Sequence, residues 1–306
     1  MTDTALPQIV PRRSLAMGMM VVGSIAISFS GLVLRFMEEA DAWQIAFYRS
    51  WAVLGMIILV LLVRYGRAMP SRIRAVGLPG LIAGGFMSVS TISFLQSITN
   101  TTVANTLFMM SAIPFITALI ARVLLGEKLR RATALTMIGA IVGIAVMLAG
   151  SVGGGGFYGN AMGLVTALCF SGYAITVRRH REIEMLPTVL IAATIVICIS
   201  GVVRWGDLWV PPADVARALF LGGVLSALTN VLFIAASKHL VAAEVTLFML
   251  LEFAVGPVWV WLIIAEVPKD TTIIGGGIVI AAVALRALNE IAQSRTRRAR
   301  PAIRPH

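Results

Sequence analysis

Ten stretches of roughly 20 residues, nearly free of charge, fill most of this 306-residue chain. They fall at about 15–36, 43–64, 75–97, 102–124, 132–149, 160–178, 186–205, 213–237, 242–264 and 271–291. A helix needs about 20 apolar residues to cross the ~30 Å hydrocarbon layer. There is no water in that layer, so the backbone must satisfy itself within the helix. The pattern predicts an all-α integral membrane protein with ten transmembrane helices and no room for a soluble domain. Composition agrees: 58% of residues are hydrophobic and only 13% are charged, about half the usual share. A water-soluble enzyme and a disordered chain are both excluded.

The few charges are unevenly placed. The formal net charge is +11, but a nucleic-acid surface needs basic residues clustered on a water-facing fold, so no nucleic-acid partner is expected. With the N-terminus in the cytoplasm, 18 of the 25 Lys and Arg residues fall in cytoplasmic segments and only Lys269 in an outer loop. This is a strong positive-inside pattern. It predicts a multi-pass membrane protein with both termini cytoplasmic and basic loops against anionic lipid heads. Arg12-Arg13 reads as a topology anchor, because no cleavage site closes the apolar run that follows.

The chain is also written twice. Phe29-Ser30-Gly31 meets Phe170-Ser171-Gly172, and Thr91-x-x-Phe94 meets Asn230-x-x-Phe233. Thr106-Leu107-Phe108-Met109 meets Thr246-Leu247-Phe248-Met249, and Glu127 meets Glu266. All four matches occur in order at shifts of 139–141 residues. Five spans per half is an odd number, so the halves must cross the membrane in opposite senses. The expected organisation is one five-helix repeat at 1–150, a Gly-rich linker at 151–159, and an inverted second repeat with a basic tail at 160–306. Inverted repeats serve alternating access around a site near the midplane.

The stretch from Pro114 to Leu125-Gly126-Glu127-Lys128-Leu129, followed by Gly139 and Gly143, resembles the EamA-type branch of the drug/metabolite transporter superfamily. The second half departs from that pattern: Phe253 follows Glu252, Pro257 comes four residues later, and Ala265-Glu266-Val267 replaces Leu-Gly-Glu. The resemblance covers nearly the whole chain. It implies transport of small metabolites, often export, and YddG-type amino-acid exporters are similar in length and layout.

Polar groups in hydrocarbon are expensive and point to function. Glu252, near the middle of span 9, can exchange a proton or pair with a substrate amine. Asn230, Thr91, Ser90 and Thr229 can bond a zwitterionic head group without charge, or serve as interhelical glue. Ser30 and Ser171 belong to the same substrate-binding set, although Gly31 and Gly172 beside them point to tight helix contact. Met109 and Phe248 extend it as part of a soft apolar wall. Asn105 and Glu244 occupy equivalent positions near opposite faces and are candidate outer and inner gates. Arg49, about two turns inside span 2, reads as a side chain that snorkels outward. Trp43, Trp205, Trp209 and Tyr65 sit at span ends, as an aromatic belt requires. Cys169 and Cys198 read as small buried hydrophobes.

The expected function is export of small metabolites, amino acids foremost (aromatic or broad range), through a central cavity, driven either by a proton exchanged at Glu252 or by the substrate's own gradient. A carrier of drugs or nucleotide-type metabolites with the same fold, or else a non-transporting membrane protein, is the alternative. Several basic side chains in the cavity would favour a sugar nucleotide, and spans 3, 4, 8 and 9 largely lack them. No catalytic set, metal cluster or cofactor motif is present in the sequence, so neither enzyme activity, nor a metal, nor a cofactor is expected.

Overall fold

The computed structural model describes residues 10–126, 131–150, 156–180, 182–237, 239–240 and 242–299. Side chains at 10–13, 125, 131–134, 234, 237, 242–247, 286 and 289–299 are outside the description. Among the described residues all regular structure is helical. There are ten apolar helices, six of them long and apolar enough to span a bilayer over the described residues and four shorter. Helix α1 comprises Val10–Ser28 and Ser30–Arg35, α2 is Ala42–Tyr65, and α3 is Gly77–Asn100. Helix α4 comprises Val103–Met110 and Ile113–Leu125, α5 is Arg131–Ala149, α6 is Phe157–Arg179 and α7 is Pro187–Val203. Helix α8 runs from Pro212–Phe220 through a π-helical turn, Leu221–Ser226, into Ala227–Ser237. The last two are α9, Ala242–Ile264, and α10, Asp270–Ala299.

Local chemistry sets the ends of these helices. Asp41 opens α2 with a capping box, accepting from the Trp43 and Gln44 amides while Gln44 accepts from the Asp41 amide. Thr102 caps α4 through the Asn105 amide. Gly126 closes α4 in the left-handed region at φ +66°. Its repeat mate Ala265 closes α9 at φ +58°, a conformation L residues with a Cβ seldom adopt.

The packing repeats as the sequence does. Helix α3 packs on α6 as α8 packs on α1. Helix α3 meets α7 as α8 meets α2, and α4 meets α6 as α1 meets α9. The pairs α2–α7 and α5–α10 are their own mates. These are two inverted five-helix repeats related by a pseudo-two-fold axis in the membrane plane. Helices α5 and α10 touch backbone to backbone: a Cβ on Gly143 would stand 2.5 Å from the Gly275 carbonyl oxygen. Gly31 and Gly172 likewise admit Val103 and Phe86, the close approach that small residues allow where lipid supplies no hydrophobic drive.

Large apolar side chains such as Val63, Val123, Leu135 and Val202 stand fully outward, as on a surface whose solvent is lipid. Cys198 is exposed and Cys169 half-buried, both free thiols, so the expectation of two buried cysteines is corrected. In lipid an apolar side chain gains nothing by turning inward. Trp205 and Trp209 lie exposed where α7 gives way to α8, at the edge of the apolar band. Below, the near face is the one where α1 begins, and the far face is its opposite.

Candidate functional site

A cavity of about 170 Å³ lies at the interface of the two halves. An apolar cavity of that order is enough for one small ring-sized ligand. Helices α1, α2, α3, α4, α6, α8 and α9 all line it. It runs from the depth of Ser30, Arg49 and Phe94 toward Met19, Met20 and Phe233, nearer the start of α1 and the end of α8. Three irregularities border it: the break of α1 at Phe29, the break of α4 between Met110 and Ile113, and the π turn of α8. Discontinuous helices are where transporters expose backbone and aim side chains at a ligand.

The cavity gathers Glu252, Asn230, Thr91, Ser90, Thr229 and Ser30 from among the residues singled out in the sequence. Glu252 lies midway along α9, and among the described residues its carboxyl has neither a hydrogen-bond nor an ion-pair partner. Asn230 donates to the Ser226 carbonyl at 2.8 Å, Ser90 to the Thr166 carbonyl at 3.2 Å, and Thr229 to the Gly23 carbonyl at 3.4 Å. Their remaining bonding capacity faces the cavity.

Three of the expected residues lie elsewhere. Ser171 is buried, its hydroxyl donating to the Ala167 carbonyl at 2.7 Å and the Ile113 carbonyl at 3.2 Å. Met109 is buried against Gly163, and Phe248 packs on Ala16, Met20, Ala236 and Leu240. The next residue in each case, Met110 or Met249, lines the cavity instead, because successive helical side chains point about 100° apart. Glu244 lies outside the residues whose side chains are described.

Arg49 also departs from its sequence expectation. It does not snorkel. It lines the cavity, donating from Nη2 to the Ser226 hydroxyl at 3.0 Å, and its Nε is enclosed without a partner. Periodicity held the signal: Arg49 falls in the stripe Ile45, Ala46, Ser50, Val53 and Ile57, which is buried, while Trp51 and Leu59 face outward. Gly222 and Gly223 mark the facing surface, since a Cβ on Gly222 would collide with the Arg49 carbonyl.

Toward the far face the bundle is sealed. Phe29 stacks on Trp259 with ring centroids 4.7 Å apart, and Trp259 donates to the Ser28 hydroxyl at 3.1 Å. Above them Glu266 accepts from Arg35 Nε at 2.7 Å and from the Val103 amide at 2.8 Å, thereby capping α4. Arg35 Nη2 donates to the Thr101 carbonyl at 2.7 Å. Asn105 bridges the Thr101 and Thr272 hydroxyls. This network ties α1, α4, α9 and α10 together at one end. The counterpart position on the near face, Glu127, lies outside the described residues.

Two inverted halves around a central, mostly apolar cavity that holds a few polar groups, in a bundle clothed in apolar side chains, define a multi-pass membrane transporter. The EamA-like transporter family model matches residues 14–149 and again 157–288, so the chain belongs to the EamA-like transporter family, whose members are carriers and not enzymes. The chain is 27% identical, over 270 residues, to the pseudopaline exporter CntI of Pseudomonas aeruginosa, in both strain UCBPP-PA14 and strain PAO1. The match covers 86% of this chain and 92% of theirs. A solved crystal structure at 16% identity superposes with a TM-score of 0.66, over 90% of this chain and 98% of its own, which shows the fold alone.

Proposed function

We propose that this transporter exports amino acids, or metabolites built on an amino-acid head group, across the bacterial inner membrane by alternating access. The observation that carries the reading is the carboxyl of Glu252, without a partner among the described residues and set among Thr91, Ser30 and Asn230 in a cavity that both repeats build. A buried carboxyl without a partner is costly unless something it binds offsets the cost, and a substrate amine does so. The relatives that export pseudopaline support outward movement of a metabolite. The count of 18 basic residues against one supports a cytoplasmic position for both termini. The near face is then cytoplasmic, and the described conformation, sealed on the far side, is the one that loads from inside. Helices α3, α4, α8 and α9, with α1 and α6, rock around the cavity and open it to one side at a time.

The test is flux of each amino acid in turn from liposomes holding the purified full-length chain. Saturable flux that competes between substrates is expected. An unsaturable conductance, or no flux of any of them, would overturn the reading. Glu252 in its ionised form receives the amine, so flux should fall as the pH drops through the carboxyl's titration, and Glu252→Gln should flatten that limb. An unchanged profile in Glu252→Gln would remove the proton role.

A further inference from the structure

We propose that Arg49 is the carboxylate anchor of this cavity, so that the substrate must carry a carboxylate for Arg49 together with an amine for Glu252. The inference rests on the transporter reading above and narrows its substrate to zwitterions and their larger derivatives.

The geometry supplies the argument in three parts. First, Arg49 is aimed inward by construction. Its backbone carbonyl packs on Gly222, and the π turn that begins at Leu221 ends on Ser226, whose hydroxyl takes one of the guanidinium's N–H groups. A π turn widens the helix by one residue and here carries that hydroxyl against α2. Four of the five guanidinium donors are left over, and the Nε–H is enclosed without an acceptor. Second, the cation and the anion of the cavity do not neutralise each other. The acids that do pair with arginine among the described residues hold Arg35, Arg64, Arg204 and Arg217, and neither Arg49 nor Glu252 is among those pairs. Two opposite charges kept apart in one apolar cavity each carry a desolvation cost. A molecule bearing both complementary groups removes the two costs together. The planar fork of a guanidinium matches a carboxylate's two oxygens, which a lone ammonium would not do as well.

Third, neither charge belongs to the repeat. The shifts of 139–141 residues set Arg49 opposite Thr188, Val189 and Leu190, and set Glu252 opposite Ser111, Ala112 and Ile113. The two-fold scaffold therefore packs without a charge at the equivalent positions. The scaffold makes the cavity, and the two departures from symmetry give it a positive and a negative pole.

The cavity's Met19, Met20, Met87, Phe94 and Phe170 suit an apolar side chain, which chooses the probes. Binding to the full-length protein in detergent is measured with L-phenylalanine, L-phenylalaninamide and 3-phenylpropanoate, which present both groups, the amine alone and the carboxylate alone. Wild type should bind the amino acid about 10-fold or more tightly than the amide, the loss expected for one charge-assisted pair. Arg49→Gln should erase that acid-over-amide ratio, and Arg49→Lys, which keeps charge without the fork, should retain part of it. Glu252→Gln should instead erase the preference for the amino acid over 3-phenylpropanoate. Arg49→Lys also serves where Arg49→Gln fails to fold. An acid-over-amide ratio unchanged in either Arg49 variant, or equal binding of acid and amide by wild type, overturns the anchor. Saturable flux of the amide by wild type would still leave the transporter reading standing. Wild type that binds none of the three overturns the anchor, and flux across the other amino acids then decides separately whether the transporter reading survives.

Discussion

The far end of the bundle and its central cavity hold similar polar residues but use them in opposite ways. At the far end Arg35, Glu266, Thr101, Asn105 and Thr272 spend their hydrogen bonds on one another and on the first amide of α4. In the cavity Arg49 has one partner and Glu252 has none among the described residues. Both groups of residues sit in an apolar bundle where an unmet polar group is expensive. The difference teaches that satisfaction, more than polarity, separates the parts that hold a conformation from the parts that await a ligand. Breaking a satisfied pair should then cost closure, whereas removing an unsatisfied group should cost transport and spare the fold.

The largest effect on closure is expected at Glu266. Its side chain is 20% exposed and that of Arg35 26%, so the pair is neither fully buried nor fully screened. Glu266→Ala leaves the guanidinium without its carboxylate and the start of α4 without its cap, at a cost of about 2 kcal/mol to the far-closed state. That is about 30-fold in population. The readout is a thiol at Ser97, a buried α3 position nearly isosteric with cysteine, in a chain whose Cys169 and Cys198 have been replaced. A membrane-impermeant reagent applied from the far side should modify it about 30-fold faster in Glu266→Ala. An unchanged rate would show that the pair does not hold this face shut.

A smaller step follows at Asn105 and Thr272. Thr272→Val removes one hydrogen bond of the same network, worth about 1 kcal/mol, and should speed modification of the Ser97 thiol about five-fold. Combined with Glu266→Ala, the two losses should fall short of additive, because residues of one network couple. Strict additivity would mean that the far face closes through independent contacts.

Much of this comparison could be read in the sequence, and what could not has a physical reason. The ten spans and the inverted repeat follow from long apolar runs and an odd number of helices per half, both of which are one-dimensional patterns. Glu252, Asn230, Thr91, Ser90, Thr229 and Ser30 stand out because hydrocarbon makes any polar group conspicuous, and the structure sets all six around one cavity. Met109, Phe248 and Ser171 fall outside it because a transmembrane helix that is apolar all round gives no clue to its inward face. The error for each of the first two is one residue. Arg49 was misread because depth alone cannot tell a snorkelling arginine from an inward one; the buried stripe of Ile45, Ala46, Ser50, Val53 and Ile57 on α2 and the paired glycines on α8 separate them. The π turn that orients it has no signature at all in composition, since Leu81 to Phe86, its counterpart in α3, forms ordinary helix.

The smallest effect on stability, and the sharpest test of the contrast, is Glu252→Gln. A carboxyl that makes no bond among the described residues has none there to lose, so the amide should fold with stability within about 0.5 kcal/mol of wild type, or slightly above it. Thermal unfolding of the purified protein measures this, and flux from liposomes measures the other half. Unfolding should hardly move while the pH profile of flux flattens. At Glu266 the order reverses, with unfolding and far-side reactivity moving first and substrate preference unaffected. A loss of more than about 1 kcal/mol at Glu252 would mean that its carboxyl holds the bundle together. The division between a satisfied rim and an unsatisfied centre would then fail where it matters most.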